Sequence, residues 1–491
     1  MLAGNTPAHV WRIIAMEGME RFSYYGFRAI LTLYFVSLKM RESSAAAGFM
    51  FTSALAYAAP LVGAWLSDER WGRYATIMRF GGVYAVGLWV LVAAAAVASL
   101  PWTVVALVFV GLGTGGIKPC VSTFGADQID GAVGEASEAT RRYFAVFYAS
   151  INLGSVFSYL LVPAMRAIFG YAAAFAVPAV LLAAALAVFI GGRRKYTMLP
   201  PREGGVGVPA AIWRAVRGRQ DDDARELRSI GEVMVLLPVF WMLYDQQGSI
   251  WVVQASEMAN FKGKVQPETM GVINPVLILL LLPLFEKGIY PALERRGVST
   301  RAPWRMMAGM VVACVEINQC VGEDRHRHAI EQASRRWRRK ILISTQVVAA
   351  AAFVVAGLLD LRVNSGERVN ILWQLPQLFL ITVAEILVSV TGLEYSYEKA
   401  PEAMRASVSA LYLLTTAVGD LLGGFLFVAA GHLGVSRPAV LFLCAVLVLL
   451  TAIAFRFVAR KHFDCFETKP VQTEEDPAEE LQAVENVLLR G

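Results

Sequence analysis

Glu17, Glu20, Arg21, Tyr24 and Arg28 stand at offsets 0, 3, 4, 7 and 11 in a run that is otherwise apolar. At about 100° per residue these offsets fall on one stripe of a helix, with Ile13, Ile14 and Phe22 on the other side. Acids and bases aligned in this way suit two kinds of chemistry: holding a zwitterion by both ends, and exchanging protons with water. A carboxylate beside a buried cation stays ionised while its partner is present; once the partner leaves, desolvation favours the neutral acid and a proton is taken up. A second isolated base, Lys118, lies in "GLGTGGIKPCVSTFGADQ" (111–128), among glycines that permit close helix contact and beside Pro119. Asp245 in "FWMLYDQQGSIW", Asn274 before Pro275, Glu385, Glu394 and Asp420 repeat the theme of polar groups set into apolar runs. Glu385 and Asp420 are equally open to a structural reading, as hydrogen-bond partners between helices.

The elements that carry these residues belong in a bilayer. The chain has 491 residues, 56% hydrophobic and 17% charged, an excess of apolar surface for a protein solvated only by water. Runs such as "GVYAVGLWVLVAAAAVASL" (82–100), "AAAFAVPAVLLAAALAVFIGG" (172–192) and "PAVLFLCAVLVLLTAIAFRFV" (438–458) are long enough to cross a hydrocarbon core as helices, which satisfy their own backbone hydrogen bonds there. A lone ionised side chain at the centre of such a helix costs roughly 2.5–3.5 kcal/mol. The stripe from Glu17 to Arg28 therefore faces partners or a water-filled cavity rather than lipid. One charge moved through the membrane potential supplies about 2.3 kcal/mol per 100 mV, enough to concentrate a substrate roughly fifty-fold.

Spans are expected near 12–38, 45–67, 76–99, 101–123, 143–165 and 171–192, then near 230–255, 269–293, a broken ninth, 371–396, 404–431 and 437–459. The fold expected is an all-α membrane protein of twelve transmembrane helices in two six-helix bundles: 1–192 and 230–460, joined by a cytoplasmic linker, 193–229, and followed by an acidic cytoplasmic tail, 461–491. The basic turns "DERWGRYATIMR", "ATRRYF" and "LERRGVSTRAPWR" alternate with nearly uncharged loops such as "ASLPWT" and "AGHLGVS", which places both termini in the cytoplasm. The N-terminus shows no basic leader with a short apolar core, so no cleaved signal is expected.

The ninth span is interrupted. "WRMMAGMVVACV" (304–315) is too short to cross, and the charged stretch 316–346 follows before apolarity resumes at "VVAAAAFVVAGLLDL" (347–361). Parity of the spans makes the fragments one helix with a polar insert, and a retained or misassigned gene segment is the reading we favour for it. Five scattered cysteines (Cys120, Cys314, Cys320, Cys444 and Cys465) lack metal-ligand spacing. No metal, cofactor, nucleic acid or obligate protein partner is expected. The enzyme reading ranks last, without a His-rich cluster, a Ser/His/Asp spacing or a phosphate-cradling loop.

Several motifs together resemble the proton-coupled oligopeptide transporters of the major facilitator superfamily: the E-x-x-E-R-F-x-Y-Y-G run from Glu17 to Gly26, the D-x-x-x-G-R turn from Asp68 to Arg73, "GTGGIKPCVSTFGADQ", "FYASINLGS" (147–155), "FWMLYDQQGSIW" and "GLEYSYEKAP". The resemblance implies the major facilitator fold and symport of di- and tripeptides with protons across the plasma membrane into the cytoplasm. It implies proton coupling through Glu17, Glu20 and Arg21, with Lys118 pairing with the acids. Arg28 and Lys118 would hold the peptide carboxylate; Asn152, Asn274 and Glu394 would receive its amino end. Tyr24, Tyr25, Tyr34, Tyr57 and Trp241 would wall the side-chain pockets, and Asp68 and Arg73 would gate the inner face. Three departures stand out. Met50 occupies the place of a histidine usual in animal members, only "RVNSGERVN" stands where they have a large external domain, and the insert at 316–346 is foreign to the pattern. The alternatives are a transporter of another small anion or zwitterion such as nitrate, and an inactive or receptor-like form.

Overall fold

The computed structural model describes residues 7–129, 138–200, 230–261, 263–284, 347–399 and 405–464. The short span 304–315, the insert 316–346, most of the linker, the acidic tail, Cys314, Cys320 and Cys465 lie outside the described residues.

The first helix, α1 (Ala8–Ser37), begins after Pro7 and runs for 30 residues. It is followed by α2 (Glu42–Ala58), α3 (Pro60–Leu66), a wider turn at Ser67–Trp71, α4 (Arg73–Ala96) and α5 (Leu100–Ala126). The spans expected at 143–165 and 171–192 are two helices that meet at Gly170 and are together labelled α6 (Glu138–Ile190); the φ of 81° at Gly170 lies in a region that other residues enter at a cost.

Small residues set how closely these helices pack. A methyl on Gly63 of α3 would stand 2.5 Å from the backbone oxygen of Gly116 on α5, and one on Gly154 of α6 would stand 2.4 Å from the backbone oxygen of Gly18 on α1. Such approach is how helices associate where no hydrophobic force separates them from lipid. Ser23 of α1 adds a side-chain bond of 2.9 Å to the carbonyl of Pro178 on α6.

In the second half of the chain the expected span 230–255 is discontinuous. It comprises α7 (Leu237–Tyr244), a 3-10 turn at Asp245–Gly248 and α8 (Ile250–Glu257), with Ser249 non-helical at φ −117° and ψ −97°. The break frees a carbonyl: Gly248 accepts a 2.8 Å bond from Thr32 of α1. Broken helices of this kind suit a polar site at mid-membrane, because the unwound backbone has dipoles to offer. There follow α9 (Ile273–Leu284), α10 (Val347–Asn364), α11 (Leu375–Lys399), α12 (Arg405–Leu433) and α13 (Arg437–Asp464).

Among the described residues, seven helices are long and apolar enough to cross a membrane, so the chain is a multi-span, all-α membrane protein. Among the described residues, not all of the twelve apolar spans expected appear as such. The first span is α1, whose charges set it apart from a purely apolar run, and the seventh is cut at Asp245.

Candidate functional site

The charged stripe of α1 is turned inward. Glu17, Glu20, Arg21 and Arg28 are buried, Glu20 completely. Arg21 Nε lies 3.1 Å from Glu17 Oε1 and 2.5 Å from Glu20 Oε2, and its guanidinium also ion-pairs with Glu20. The other Glu20 oxygen accepts a 3.0 Å bond from Thr114 Oγ1 on α5. Each carboxylate is thus stabilised by hydrogen bonds from a cation, which is what permits ionised groups in a dry interior.

About two turns further along, Arg28 ion-pairs with Asp245 at the break between α7 and α8, joining the two halves of the chain. Its guanidinium also lies 4.6 Å from the ring centre of Phe49 and 5.7 Å from that of Tyr24. Among the described residues Lys118 hydrogen-bonds to no carboxylate: its buried ammonium stands 3.6 Å from the ring centre of Tyr57 and 4.4 Å from that of Tyr24. Aromatic faces attract a cation but leave its three donors unused. With Arg28 nearby, this is an electropositive place for an anionic group.

Across the site, Asn274 of α9 donates to Thr382 Oγ1 at 3.1 Å and to Glu385 Oε2 at 2.6 Å on α11. Glu385 lies within electrostatic reach of Tyr25 and Tyr148 from the first half and of Tyr244 from the second. Trp241 packs edge-on to Tyr244 and Tyr412, its indole N–H without a partner. Tyr25 sits 6.1 Å from Tyr159.

Tyr34, Asp68 and Arg73 stand apart from this group. Tyr34 bonds Thr103 at 3.0 Å and packs between Tyr171 and Phe175, within the first half. Asn152 donates to the Tyr148 carbonyl of its own helix at 3.0 Å. Asp68 lies in the turn after α3, and Arg73 at the start of α4 ion-pairs with Asp127 just beyond α5. Glu394 lies on α11, with its side chain outside the described residues.

The end of the molecule near Ser37 holds ionic contacts that the sequence reading missed. Arg166 of α6 bonds Gln266 at 2.7 Å and ion-pairs with Glu268 at 2.8 Å. Arg437 grips both Asp360 oxygens, at 2.8 and 2.9 Å, together with Glu257 at 2.5 Å and Glu42 at 3.2 Å. Spacing could not reveal these pairs, because the partners lie tens to hundreds of positions apart. Asp360 is fully buried, so Arg437→Met is expected to cost about 3 kcal/mol of stability by stranding a carboxylate. Arg437→Met combined with Asp360→Leu should recover most of that loss. Thermal unfolding of the purified proteins in detergent checks this; equal losses in the single and double variants would refute it.

A POT family profile matches residues 74–210, 206–321 and 341–431, well over half of the chain. The chain belongs to the POT family. Its sequence is 36% identical to mouse solute carrier family 15 member 2 over 358 residues, covering 64% of this chain and 48% of that protein. It is 38% identical to Drosophila melanogaster peptide transporter family 1 over 347 residues, covering 63% and 46%. The chain spans about half the length of the curated relatives it matches. Among solved structures, an auto-inhibited POT family peptide transporter overlays it with a TM-score of 0.78 at 26% identity, covering 96% of this chain and 99% of that one. The POT family transporter PepTSo overlays it with a TM-score of 0.75 at 28% identity, covering 93% and 99%.

The comparison corrects the expected architecture. The POT family fold has fourteen membrane helices in two groups of seven, not twelve in two bundles of six. The physical reason is that counting apolar runs registers helices that face lipid along most of their length. A helix shielded by protein tolerates charges and leaves a weaker run to count. The family match also breaks off at 321 and resumes at 341, within the stretch read as an insert.

Proposed function

We propose that this POT family member is a symporter carrying di- and tripeptides into the cytoplasm together with protons. Its two halves, residues 1–192 and 230–460, rock about the shared site, joined by the cytoplasmic linker 193–229. The observation that carries this reading is the ion pair of Arg28 with Asp245, one residue from each half, beside the unpartnered ammonium of Lys118. A peptide carboxylate entering there competes with Asp245 for Arg28 and finds Lys118 uncommitted. Its amino end is received by Glu394, Asn274 and Asn152. Tyr24, Tyr25, Tyr57 and Trp241 bound the space for side chains, and recognition of the two backbone ends leaves those side chains free to vary.

Glu17, Glu20 and Arg21 form the proton-coupling group. While Arg21 grips the acids they remain ionised; when Arg21 turns to other partners, the acid left in a dry setting takes a proton. Asp68 and Arg73 gate the face that the alternation of basic loops makes cytoplasmic, where both termini also lie, and the plasma membrane is the membrane that fits inward uptake of peptides. The latches at the opposite end, Arg166 with Glu268 and Arg437 with Glu42, would open as the inner face closes. The relative named as a peptide transporter, at 38% identity, supports peptide as the cargo.

Purified protein in proteoliposomes should accumulate labelled dipeptide under an inward proton gradient and lose that accumulation on addition of a protonophore. Tripeptides should compete, whereas nitrate and free amino acids should not. Uptake indifferent to the protonophore would refute the coupling, and competition by nitrate would favour the alternative cargo. The break in the family match favours a second reading, an inactive form. Uptake by the full chain and by a chain lacking 316–346 decides it, alongside sequencing of the transcript across codons 310–350.

A further inference from the structure

Asn274 is held by its nitrogen alone. Nδ2 donates to Thr382 Oγ1 at 3.1 Å and to Glu385 Oε2 at 2.6 Å, both on α11, which uses both protons of the amide. Oδ1 has no hydrogen-bond partner among the described residues, and it is not sealed within protein. The amide thus hides its donors and leaves its acceptor open.

Which end of an amide meets its neighbours depends on what those neighbours can offer. Thr382 is fully buried and has one hydroxyl proton, which goes to the carbonyl of Leu378 on its own helix at 2.8 Å. Toward Asn274 it can only accept. An ionised carboxylate accepts hydrogen bonds and donates none, so Glu385 makes the same demand. Were the amide turned over, Oδ1 would face two acceptors with no proton between them. Its orientation is therefore fixed twice, by two residues one turn apart on α11. A bond to a charged acceptor also polarises the amide and makes its free oxygen the stronger acceptor. Lys118 offers the reverse, an ammonium whose donors are unused.

We propose that Glu385, backed by Thr382, is a positioning residue for the substrate: it turns the Asn274 amide so that an acceptor meets the cargo, and so selects a protonated amino group there. This rests on the peptide reading for the identity of that amino group, but not for the orientation of the amide.

Thermal unfolding of the purified protein without peptide tests the orientation. Asn274→Asp sets a second acceptor-only group against Glu385 and should lower the unfolding temperature; adding Glu385→Gln, which can donate, should restore it. An equal loss with and without Glu385→Gln would overturn the proposal whether or not the protein transports anything. In proteoliposomes, competition against a labelled dipeptide compares the unlabelled dipeptide with its des-amino analogue, which lacks only the amino group. Glu385→Gln lets the two facing amides pair in either sense, so it should weaken the dipeptide roughly tenfold while the analogue competes as before. Thr382→Val should act in the same direction, and Thr382→Ser, which keeps the acceptor, should not; this pair carries the comparison if Glu385→Gln does not fold. Dipeptide and analogue weakened alike would overturn the selective role, since a merely structural defect spares neither. A dipeptide that competes no better than its analogue in the unaltered protein would instead count against the proposed function.

Discussion

Replacing Glu20 by glutamine is expected to abolish the stimulation of dipeptide uptake by an inward proton gradient, while counterflow exchange remains measurable. Glu20 is completely buried and spends both oxygens, one on Arg21 and the other on Thr114. Glutamine keeps the shape and one acceptor but cannot change its charge by taking a proton. Arg21 is then left with Glu17 as its only ionic partner on α1, at 3.1 Å. A driving force of 100 mV supports roughly fifty-fold accumulation per charge moved, and this is the quantity that should collapse to no accumulation. Exchange of peptide for peptide at equal pH needs the site to alternate but needs no net proton movement, so the two assays separate coupling from folding. A variant that accumulates dipeptide as the unaltered protein does would exclude Glu20 from the coupling.

The second large effect is expected at Arg28. On the proposed reading, Arg28→Gln removes a charge-assisted contact to the peptide carboxylate, worth about 1.5–3 kcal/mol, so affinity for dipeptides should fall roughly 10- to 150-fold. A dipeptide amide, which lacks that carboxylate, should lose far less, and the comparison isolates the contact. The same substitution strands Asp245, which is 3% exposed and held by Arg28 across the two halves. Arg28→Gln should therefore also unfold at a lower temperature. Adding Asp245→Asn should restore the unfolding temperature but not the affinity. Equal weakening for the peptide and its amide would show that Arg28 acts on the packing of the halves and not on the substrate.

Much of the site was legible because burial of charge in lipid is costly enough to be read one helix at a time. The offsets of Glu17, Glu20, Arg21 and Arg28 require one inward stripe, and the structure buries all four. Lys118 and Asn274 were recognisable in the same way, as polar groups within apolar runs. Partners were less legible. Lys118, expected to pair with acids, stands over the rings of Tyr24 and Tyr57. Tyr34, expected on a cavity wall, is bonded to Thr103 inside the first half. Arg73 meets Asp127, a residue quoted in a motif but given no role.

The primary structure alone established that this chain is helical and membrane-embedded, that α1 presents ionic groups to an interior, and that its motifs are those of the POT family. The first two follow from composition and from the 3.6-residue period, which are local properties; the third rests on the resemblance of whole motifs to those of the family. The tertiary structure decided which groups meet: Arg28 with Asp245, 217 positions apart; Asn274 with Glu385, 111 apart; and Arg437 with Glu42, 395 apart. It also placed the break at Asp245–Gly248 against Thr32. The helix count needed the family's solved structures, because apolar runs record contact with lipid and not the number of helices. Pairing depends on how helices from distant parts of the chain pack, and no period along one helix encodes the partner that another brings to it.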